Sequence, residues 1–192
     1  MDTYKRIAKS QNTVLEIGAS NPAKTESLAV YCKKLVGLEK FKELIPDTKA
    51  IKIICGDWRN LKKIFGRQKF DIIVASHVIE HVENDIDCLN ESYDVLKKGG
   101  YLLVLTPNRN RLAERIRALF FGWRKFPYHE HLREYTKPEL KNLILKSSFK
   151  KSPFSIKGIV FGLHAGPLYV FLKEAKLFEK YSNFIEVVLE KV

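Results

Sequence analysis

The feature that most constrains the fold is a regular alternation of short apolar runs with segments of helical periodicity. Apolar runs of strand length occupy 13–18, 35–38, 51–55, 70–75 and 101–105. Helical patterns lie between several of them, for example at about 23–34 and 80–98. This alternation is typical of a mostly parallel sheet with helices on both faces. The sequence therefore predicts a doubly wound α/β fold.

Turn residues mark the ends of the predicted elements. Pro22 predicts the start of the first of these helices, with Ser20 or Asn21 as its cap. The pair Gly99-Gly100 predicts the end of the helix at 80–98. A later helix is predicted at 138–147 with Thr136 as its cap, and two more strands at 154–161 and 183–189 enclose a partly helical stretch.

Length and composition indicate one soluble domain. A chain of 192 residues, 45% hydrophobic and 29% charged, is long enough for one substantial core and short for two, so residues 1–192 are treated as one domain. No apolar run has the length of a membrane span, and no apolar stretch follows the N-terminus as in a signal peptide. We therefore expect a cytoplasmic protein in which Cys32, Cys55 and Cys88 are reduced core thiols.

Each of the first four predicted strands delivers polar or flexible residues at its carboxyl end. These residues are Gly18, Glu39, Gly56-Asp57 and Ser76-His77, in strand order. Open α/β sheets bind ligands in the crevice beyond the carboxyl ends of their strands. The sequence therefore predicts a ligand site formed jointly by these residues.

The order of these motifs resembles the class I S-adenosylmethionine-dependent methyltransferases. The resemblance covers roughly residues 13–149 and rests on the sequence Val-Leu-Glu-Ile-Gly at 14–18, Val-Gly-Leu-Glu at 36–39, Gly-Asp at 56–57, the block at 70–81 and Leu-Lys-Lys-Gly-Gly at 96–100. It implies a Rossmann-like seven-stranded sheet in the order 3-2-1-4-5-7-6 with the last strand antiparallel. It also implies an enzyme that uses S-adenosylmethionine.

The resemblance assigns cofactor contacts residue by residue. Gly18 would let the backbone approach the cofactor, and Glu16 would engage its ammonium group directly or through water. Glu39 would accept hydrogen bonds from the ribose diol, or be only an exposed acid at a helix start. Asp57 would contact the adenine amino group, or act only as a helix cap, and Trp58 would pack on the adenine ring. Ser76 and His77 would present backbone and side-chain groups to the methionyl end, and Ser20 is a further expected cofactor contact.

The loop after the first strand departs from the family pattern. Ser20 and Pro22 stand where one or two further glycines are usual, which makes the loop stiffer. This departure keeps open a non-catalytic domain of the same fold. A dinucleotide enzyme is disfavoured, because Gly-x-Gly-x-x-Gly is absent.

Histidines are the candidate catalytic groups. The block Ser-His-Val-Ile-Glu-His at 76–81 has the order His-x-x-Glu-His, which differs from that of a zincin, so no metal is predicted. It resembles a signature of small-molecule methyltransferases. His77, His129 and His131 are candidate bases for an acceptor hydroxyl or amine, with His77 and His131 preferred. The stretch 128–140 resembles the segment before the late helix in family members that act on quinones, lipids or sugars, which implies that His129, His131 and Arg133 bind the acceptor.

A basic amphipathic segment, predicted as a lid-like insertion at about 108–135, is the main clue to the partner. Arginines alternate there with apolar residues at 112, 116, 119 and 120, which form one helical stripe, and the chain carries a net charge of +12. The stripe packs on the domain, lies on an acidic membrane surface, or closes as a lid over a lipid-like or glycan acceptor. We expect an anionic or amphipathic small-molecule, glycan or lipid-like acceptor, with RNA as the alternative.

Overall fold

The computed structural model describes residues 2–47, 51–122, 130–165, 168–172 and 176–192. Nine strands are found in these ranges: β1 (Thr13–Ile17), β2 (Lys34–Glu39), β3 (Lys52–Cys55), β4 (Phe70–Ser76), β5 (Leu96–Pro107), β6 (Phe154–Ile159), β7 (Phe161–Ala165), β8 (Leu168–Leu172) and β9 (Phe184–Glu190). The α-helices described are α1 (Asp2–Ile7), α2 (Pro22–Ala29), α3 (Leu61–Phe65), α4 (Asp85–Val95), α5 (Leu112–Phe121) and α6 (Lys137–Lys146). Short 3-10 helices cover Lys42–Leu44, Trp58–Asn60, Ile79–His81 and Lys176–Tyr181.

Seven of the strands form one mixed sheet in the order β3-β2-β1-β4-β5-β9-β6. The first five strands in this order are parallel to one another, whereas β9 lies antiparallel between β5 and β6. The remaining two strands, β7 and β8, form a separate antiparallel hairpin. Counted without that hairpin, β9 is the seventh strand, so the predicted order and the antiparallel last strand are confirmed.

Apolar side chains cover both faces of the sheet. On one face, Leu15 and Ile73 belong to a cluster with Leu89 of α4 and Ile144 of α6. On the other face, neighbouring strand residues such as Val14 and Ile72 belong to a cluster with residues of α1 and α2. Alternate residues of a strand point to opposite faces, so a strand buried on both sides needs continuous apolar sequence. This explains why the central runs show no polar alternation.

The starts of α2 and α6 agree with the cap residues that the sequence predicted. The side chain of Asn21 accepts a hydrogen bond from the backbone N–H of Lys24, so Asn21 caps α2, with Pro22 in its first turn. Thr136 and Glu139 form a reciprocal capping box at the start of α6. Both arrangements satisfy backbone N–H groups that have no partner within the helix.

Several predicted boundaries were wrong. The helix predicted from residue 80 begins at Asp85, because Ile79–His81 form a 3-10 helix that buries Glu80 instead. It ends at Val95 rather than at the glycine pair, because Leu96 already pairs with Phe70 in the sheet. The stretch between β6 and β9, predicted as partly helical, contains the β7–β8 hairpin as well as a 3-10 helix.

The three cysteines are free, but they do not share one environment. Cys88 is buried and Cys32 is half-buried, as expected for core thiols. Cys55 is exposed, which corrects the prediction that it lies in the core. It ends β3, which lies at the edge of the sheet and has a neighbouring strand on one side only.

Candidate functional site

The carboxyl end of β1 contains a buried acid, Glu16, and is followed directly by a glycine, Gly18. Glu16 is fully buried at the carboxyl end of β1, and Lys24 Nζ lies 3.0 Å from its Oε1. Apart from this ion pair, no hydrogen-bond donor of the described residues reaches either carboxylate oxygen. A buried carboxylate is costly without donors. Glu16 therefore has acceptor capacity left for a cationic or donating group of a ligand.

Gly18 has a backbone conformation that favours glycine. Its φ is +73°, and a Cβ built there would lie 2.6 Å from Cγ2 of Val78. Its N–H donates to the carbonyl of Leu38, which ties the loop to the end of β2. Ser20, the predicted contact in the same loop, is exposed.

Glu39 ends β2 as a buried acid. One carboxylate oxygen accepts a hydrogen bond of 3.1 Å from the backbone N–H of Phe41, which holds the side chain in the turn after the strand. Because β1 and β2 are parallel neighbours, Glu39 and Gly18 lie at the same edge of the sheet. This is the placement that binding of a ribose diol requires.

Asp57 lies at the carboxyl end of β3, where it acts as a cap. Its carboxylate accepts from the backbone N–H of Arg59 at 2.9 Å and from the guanidinium of Arg59 at 3.0 and 2.7 Å. Hydrogen bonding to Arg59 lowers the pKa of the Asp57 carboxyl, with a smaller contribution from Lys40. The cap interpretation is what the structure shows, and the adenine contact stays a prediction.

Trp58 is a core residue, and its predicted packing on adenine stays a prediction. Its side chain is only 3% exposed and belongs to the cluster beneath α3 and α4. The indole N–H donates to Ser92 Oγ at 2.7 Å. Both the apolar body and the polar tip therefore have partners inside the protein, which favours a structural role for Trp58.

The carboxyl end of β4 has strained backbone. Ser76 is buried in register with Leu105, and His77 follows with φ +58°, a value that is uncommon for residues other than glycine. The N–H of His77 donates to the carbonyl of Leu105, and its ring packs edge-on against Phe184 at 5.1 Å between centroids. Backbone strain of this kind is concentrated at functional sites.

Glu80 is the centre of a histidine cluster. It is fully buried; Oε2 accepts from Thr106 Oγ1 at 3.1 Å, and His77 Nδ1 lies 3.4 Å from Oε1. Ligand-type atoms of Glu80, His81 and His131 all lie within 4.8 Å of one another. A cation could in principle contact all three, and the expectation that no metal binds stays a prediction.

Two of these histidines are oriented through Nδ1. His81 Nδ1 lies 3.0 Å from the carbonyl oxygen of Glu130, and His131 Nδ1 lies 2.9 Å from Glu134 Oε1. Their rings pack edge to face with 4.9 Å between centroids. The arrangement places imidazole groups capable of proton transfer at the same edge of the sheet as Gly18 and Glu39.

Of the residues predicted to bind the acceptor, Arg133 is described by the structure and His129 is not. Arg133 donates to Asp85 Oδ2 at 2.8 Å and to the carbonyl of Glu83 at 2.7 Å, so its guanidinium joins its loop to the start of α4. The same Asp85 oxygen accepts from the hydroxyl of Tyr135. His129, the other predicted acceptor residue of this segment, lies outside the described residues.

Sequence reasoning missed four residues that complete this site. Glu80 and Glu134 stand inside the quoted motifs but had been given no role, although each lies three residues after a histidine. Lys24 was not predicted, and Arg111 was predicted only as one of the arginines of the basic segment, because the sequence does not show their pairing with Glu16 and Glu134.

A family model described as "Methyltransferase domain" matches residues 1–151. In solved structures, the chain is similar to an S-adenosylmethionine-dependent methyltransferase from Archaeoglobus fulgidus, with 15% identity and a TM-score of 0.72. The similarity covers 99% of this chain and 90% of that one. At this identity the match supports the fold.

Curated relatives give a second comparison. The chain is 27% identical over 158 residues to a ubiquinone biosynthesis O-methyltransferase of Cereibacter sphaeroides (strain ATCC 17023), which covers 77% of this chain and 63% of the relative. It is 25% identical over 166 residues to the mitochondrial ubiquinone biosynthesis O-methyltransferase of Rattus norvegicus, covering 74% and 48%. The chain thus spans about half to two thirds of the length of these relatives.

Proposed function

Because this chain belongs to the methyltransferase domain family and has the class I S-adenosylmethionine-dependent methyltransferase fold, we propose that it methylates a hydroxyl oxygen of a small-molecule acceptor. The observation that carries the proposal is the convergence of two kinds of group at one edge of the sheet. The residues expected to bind the cofactor, Glu16, Gly18 and Glu39, lie at the carboxyl ends of β1 and β2. A cluster of histidines around buried Glu80 follows β4. The names of the curated relatives favour oxygen as the methylated atom.

The residues present fit S-adenosylmethionine. Glu16 keeps unsatisfied acceptor oxygens for the ammonium group, Gly18 keeps the loop close to the sheet, and Glu39 offers a carboxylate for the ribose diol. Lys24 already pairs with Glu16, so the ammonium would share that carboxylate with the lysine. Bound S-adenosylmethionine supplies a methyl group activated by its sulfonium.

A hydroxyl acceptor needs a base, because its proton leaves as the oxygen is methylated. His77 and His131 are the candidates, and each lies beside a buried glutamate. A neutral imidazole accepts protons near pH 7. Positioning the acceptor oxygen and removing its proton are therefore the two tasks of this cluster.

Cofactor binding tests the proposal first. Titration calorimetry should show micromolar binding of S-adenosylmethionine and of its demethylated product by the wild-type chain. Glu39→Ala should weaken both about 10- to 100-fold, because hydrogen bonds to a charged group contribute about 1.5–3 kcal/mol. Glu43→Ala is the matched control, since Glu43 is an exposed acid four residues further on. Absence of binding by the wild-type chain would instead favour the non-catalytic interpretation.

Helix α5 supports a proposal about where the acceptor is found. Leu119 is 82% exposed, Phe120 77% and Ile116 38%, so a large part of the apolar stripe is left open to solvent by the described residues. Arg115 on the same helix is exposed as well, with its guanidinium over the ring of Tyr181. Apolar residues flanked by arginines bind the surface of acidic bilayers. We propose a peripheral contact of α5 with an anionic membrane that presents an amphipathic acceptor.

None of the helices in the described ranges combines the length and hydrophobicity needed to cross a bilayer. A membrane contact of this protein through α5 would therefore be made by insertion of a few side chains at the surface. Such binding combines apolar burial with attraction between arginines and acidic headgroups, and added salt weakens the second component.

Liposome co-sedimentation tests this contact. The wild-type chain should bind vesicles that contain phosphatidylserine, and should bind less with pure phosphatidylcholine or high salt. Leu119→Ser with Phe120→Ser should reduce binding at least about tenfold, since each buried apolar side chain contributes about 1.5–3 kcal/mol. Phe41→Ser with Leu44→Ser removes two other exposed apolar side chains and should leave binding unchanged. Salt-sensitive binding to RNA with no vesicle binding would favour the nucleic-acid alternative.

A further inference from the structure

A buried glutamate forms a direct bond to the ring of His131. His131 Nδ1 lies 2.9 Å from Glu134 Oε1, and the side chains are 10% and 1% exposed. Hydrogen bonds that involve an ionised group are about twice as strong as neutral ones, and exclusion of water strengthens them further. This contact is therefore able to fix both the orientation and the protonation pattern of the imidazole ring.

Arg111 allows Glu134 to stay ionised in this buried position. Its guanidinium donates to both carboxylate oxygens, with Nη1 2.7 Å from Oε2 and Nη2 3.2 Å from Oε1. Bidentate pairing is the strongest arrangement open to arginine and carboxylate, and it offsets the cost of burying the charge. Arg111 is itself held by a hydrogen bond to the carbonyl of Asn108 and lies directly before α5.

The ionised carboxylate determines which nitrogen of His131 carries the proton. A carboxylate accepts hydrogen bonds and cannot donate them, so the neutral imidazole must place its proton on Nδ1. The lone pair then lies on Nε2. The edge-to-face contact with His81 restricts rotation of the ring. His131 is thus set up as a base through Nε2, as in other sites where a buried acid orients a histidine.

We propose that Glu134, held by Arg111, is the positioning residue that makes His131 the base of the reaction. The inference rests on the proposed function, since it needs a hydroxyl acceptor. The acceptor proton passes to His131 Nε2 while the acceptor oxygen forms its bond to the methyl carbon. The electron pair of the broken carbon–sulfur bond stays on sulfur, and the imidazolium later releases its proton to water.

The orientation of His131 can be measured without substrate. In protein labelled with ¹⁵N-histidine, the ring nitrogens of His131, identified by their loss in His131→Gln, should show the Nδ1–H tautomer above the pH at which the ring is charged. Glu134→Gln should move the ring toward the Nε2–H tautomer, because an amide can donate to Nδ1. Unchanged ring signals in Glu134→Gln would overturn the proposal. This result is independent of whether the chain binds S-adenosylmethionine.

Turnover with catechol as a hydroxyl acceptor provides the second readout. Glu134→Gln should lower kcat about 10²- to 10⁴-fold by favouring the wrong tautomer, with the affinity for S-adenosylmethionine unchanged. Glu134→Asp, which keeps the charge, should recover part of the activity. Arg109→Gln is the matched control, because it breaks the neighbouring pair with Glu139 without removing a contact to the Glu134 carboxylate. A kcat within twofold of wild type in Glu134→Gln would contradict the proposal.

A second variant covers the case in which Glu134→Gln does not fold because Arg111 loses its partner. Arg111→Met with Glu134→Gln removes both charges together, and this replacement is better tolerated than leaving one buried charge unpaired. It should fold and show the same tautomer change and loss of kcat. Loss of wild-type turnover on treatment with a chelator, together with shifts of the His131 ring nitrogens on adding zinc, would overturn the proposal by making His131 a metal ligand.

Discussion

Gly18→Ala is expected to destabilise the protein by about 2–5 kcal/mol. A positive φ costs a residue with a Cβ about 1–2 kcal/mol, and overpacking of a filled space typically adds about 1–3 kcal/mol. Both terms apply here, because φ is +73° and the new Cβ would lie 2.6 Å from Val78 Cγ2. Relief of the overlap would move the loop after β1 away from Val78. We therefore also expect S-adenosylmethionine binding to be lost or greatly weakened in the folded fraction.

Gly99→Ala separates the cost of the positive φ from the cost of the close contact with Val78. Gly99 has nearly the same φ, +72°, but a Cβ added there meets nothing within 4 Å. Chemical denaturation should thus show a loss of about 1–2 kcal/mol for Gly99→Ala, from the backbone alone, with cofactor binding unchanged. Val78→Ala should partly rescue Gly18→Ala. Equal destabilisation by the two glycine substitutions would show that the contact with Val78 is unimportant.

Trp58→Ala is expected to have an effect of similar size, on stability alone. Truncating a buried tryptophan typically costs about 3–5 kcal/mol through lost burial and the cavity left behind. Trp58 is 3% exposed and its indole N–H is bonded to Ser92. Denaturant unfolding measures the change, and calorimetry under folding conditions measures the affinity for S-adenosylmethionine. That affinity should stay within about twofold of wild type after correction for the unfolded fraction.

Trp58→Phe provides a milder comparison. Phenylalanine keeps most of the apolar side chain but is smaller and cannot donate to Ser92. We therefore expect the free energy of unfolding to fall by about 1–2 kcal/mol, because of the lost hydrogen bond and the smaller ring. The opposite pattern, near-normal stability with clearly weaker cofactor binding, would mean that the indole contacts the ligand after all. The two measurements therefore decide between a core role and an adenine-binding role.

The two buried glutamates beside the histidines can be compared by what offsets the cost of their burial. Glu80 and Glu134 are both buried, and each lies near an imidazole that could share its charge or its proton. Burial of a carboxylate is tolerated when hydrogen bonds or opposite charges offset the lost hydration. Glu134 has such an offset in Arg111, whereas Oε1 of Glu80 lacks a hydrogen-bond donor among the described residues. Its nearest ionisable neighbour is His77, whose Nδ1 lies 3.4 Å away.

The fold was largely predictable because its signals are local. Continuous apolar runs separated by capped helices indicate a parallel sheet. The strand order, with β9 antiparallel, was implied by the resemblance to class I methyltransferases. Boundaries were less predictable. Leu96 continues a helical pattern by sequence, yet it pairs with Phe70 in the sheet, since tertiary hydrogen bonds outweigh weak local propensity.

By itself the sequence determined the fold, the edge of the sheet that carries the site, and the residues that end each strand there. Only the tertiary structure decided how those side chains are used. In the folded protein, Trp58 is buried and donates to Ser92, and Asp57 accepts a hydrogen bond from Arg59. Glu134 accepts a hydrogen bond from Arg111 and also contacts the ring of His131. Periodicity and caps act over a few residues, whereas these choices depend on distances between side chains that are brought together only when the sheet has formed and water has been excluded.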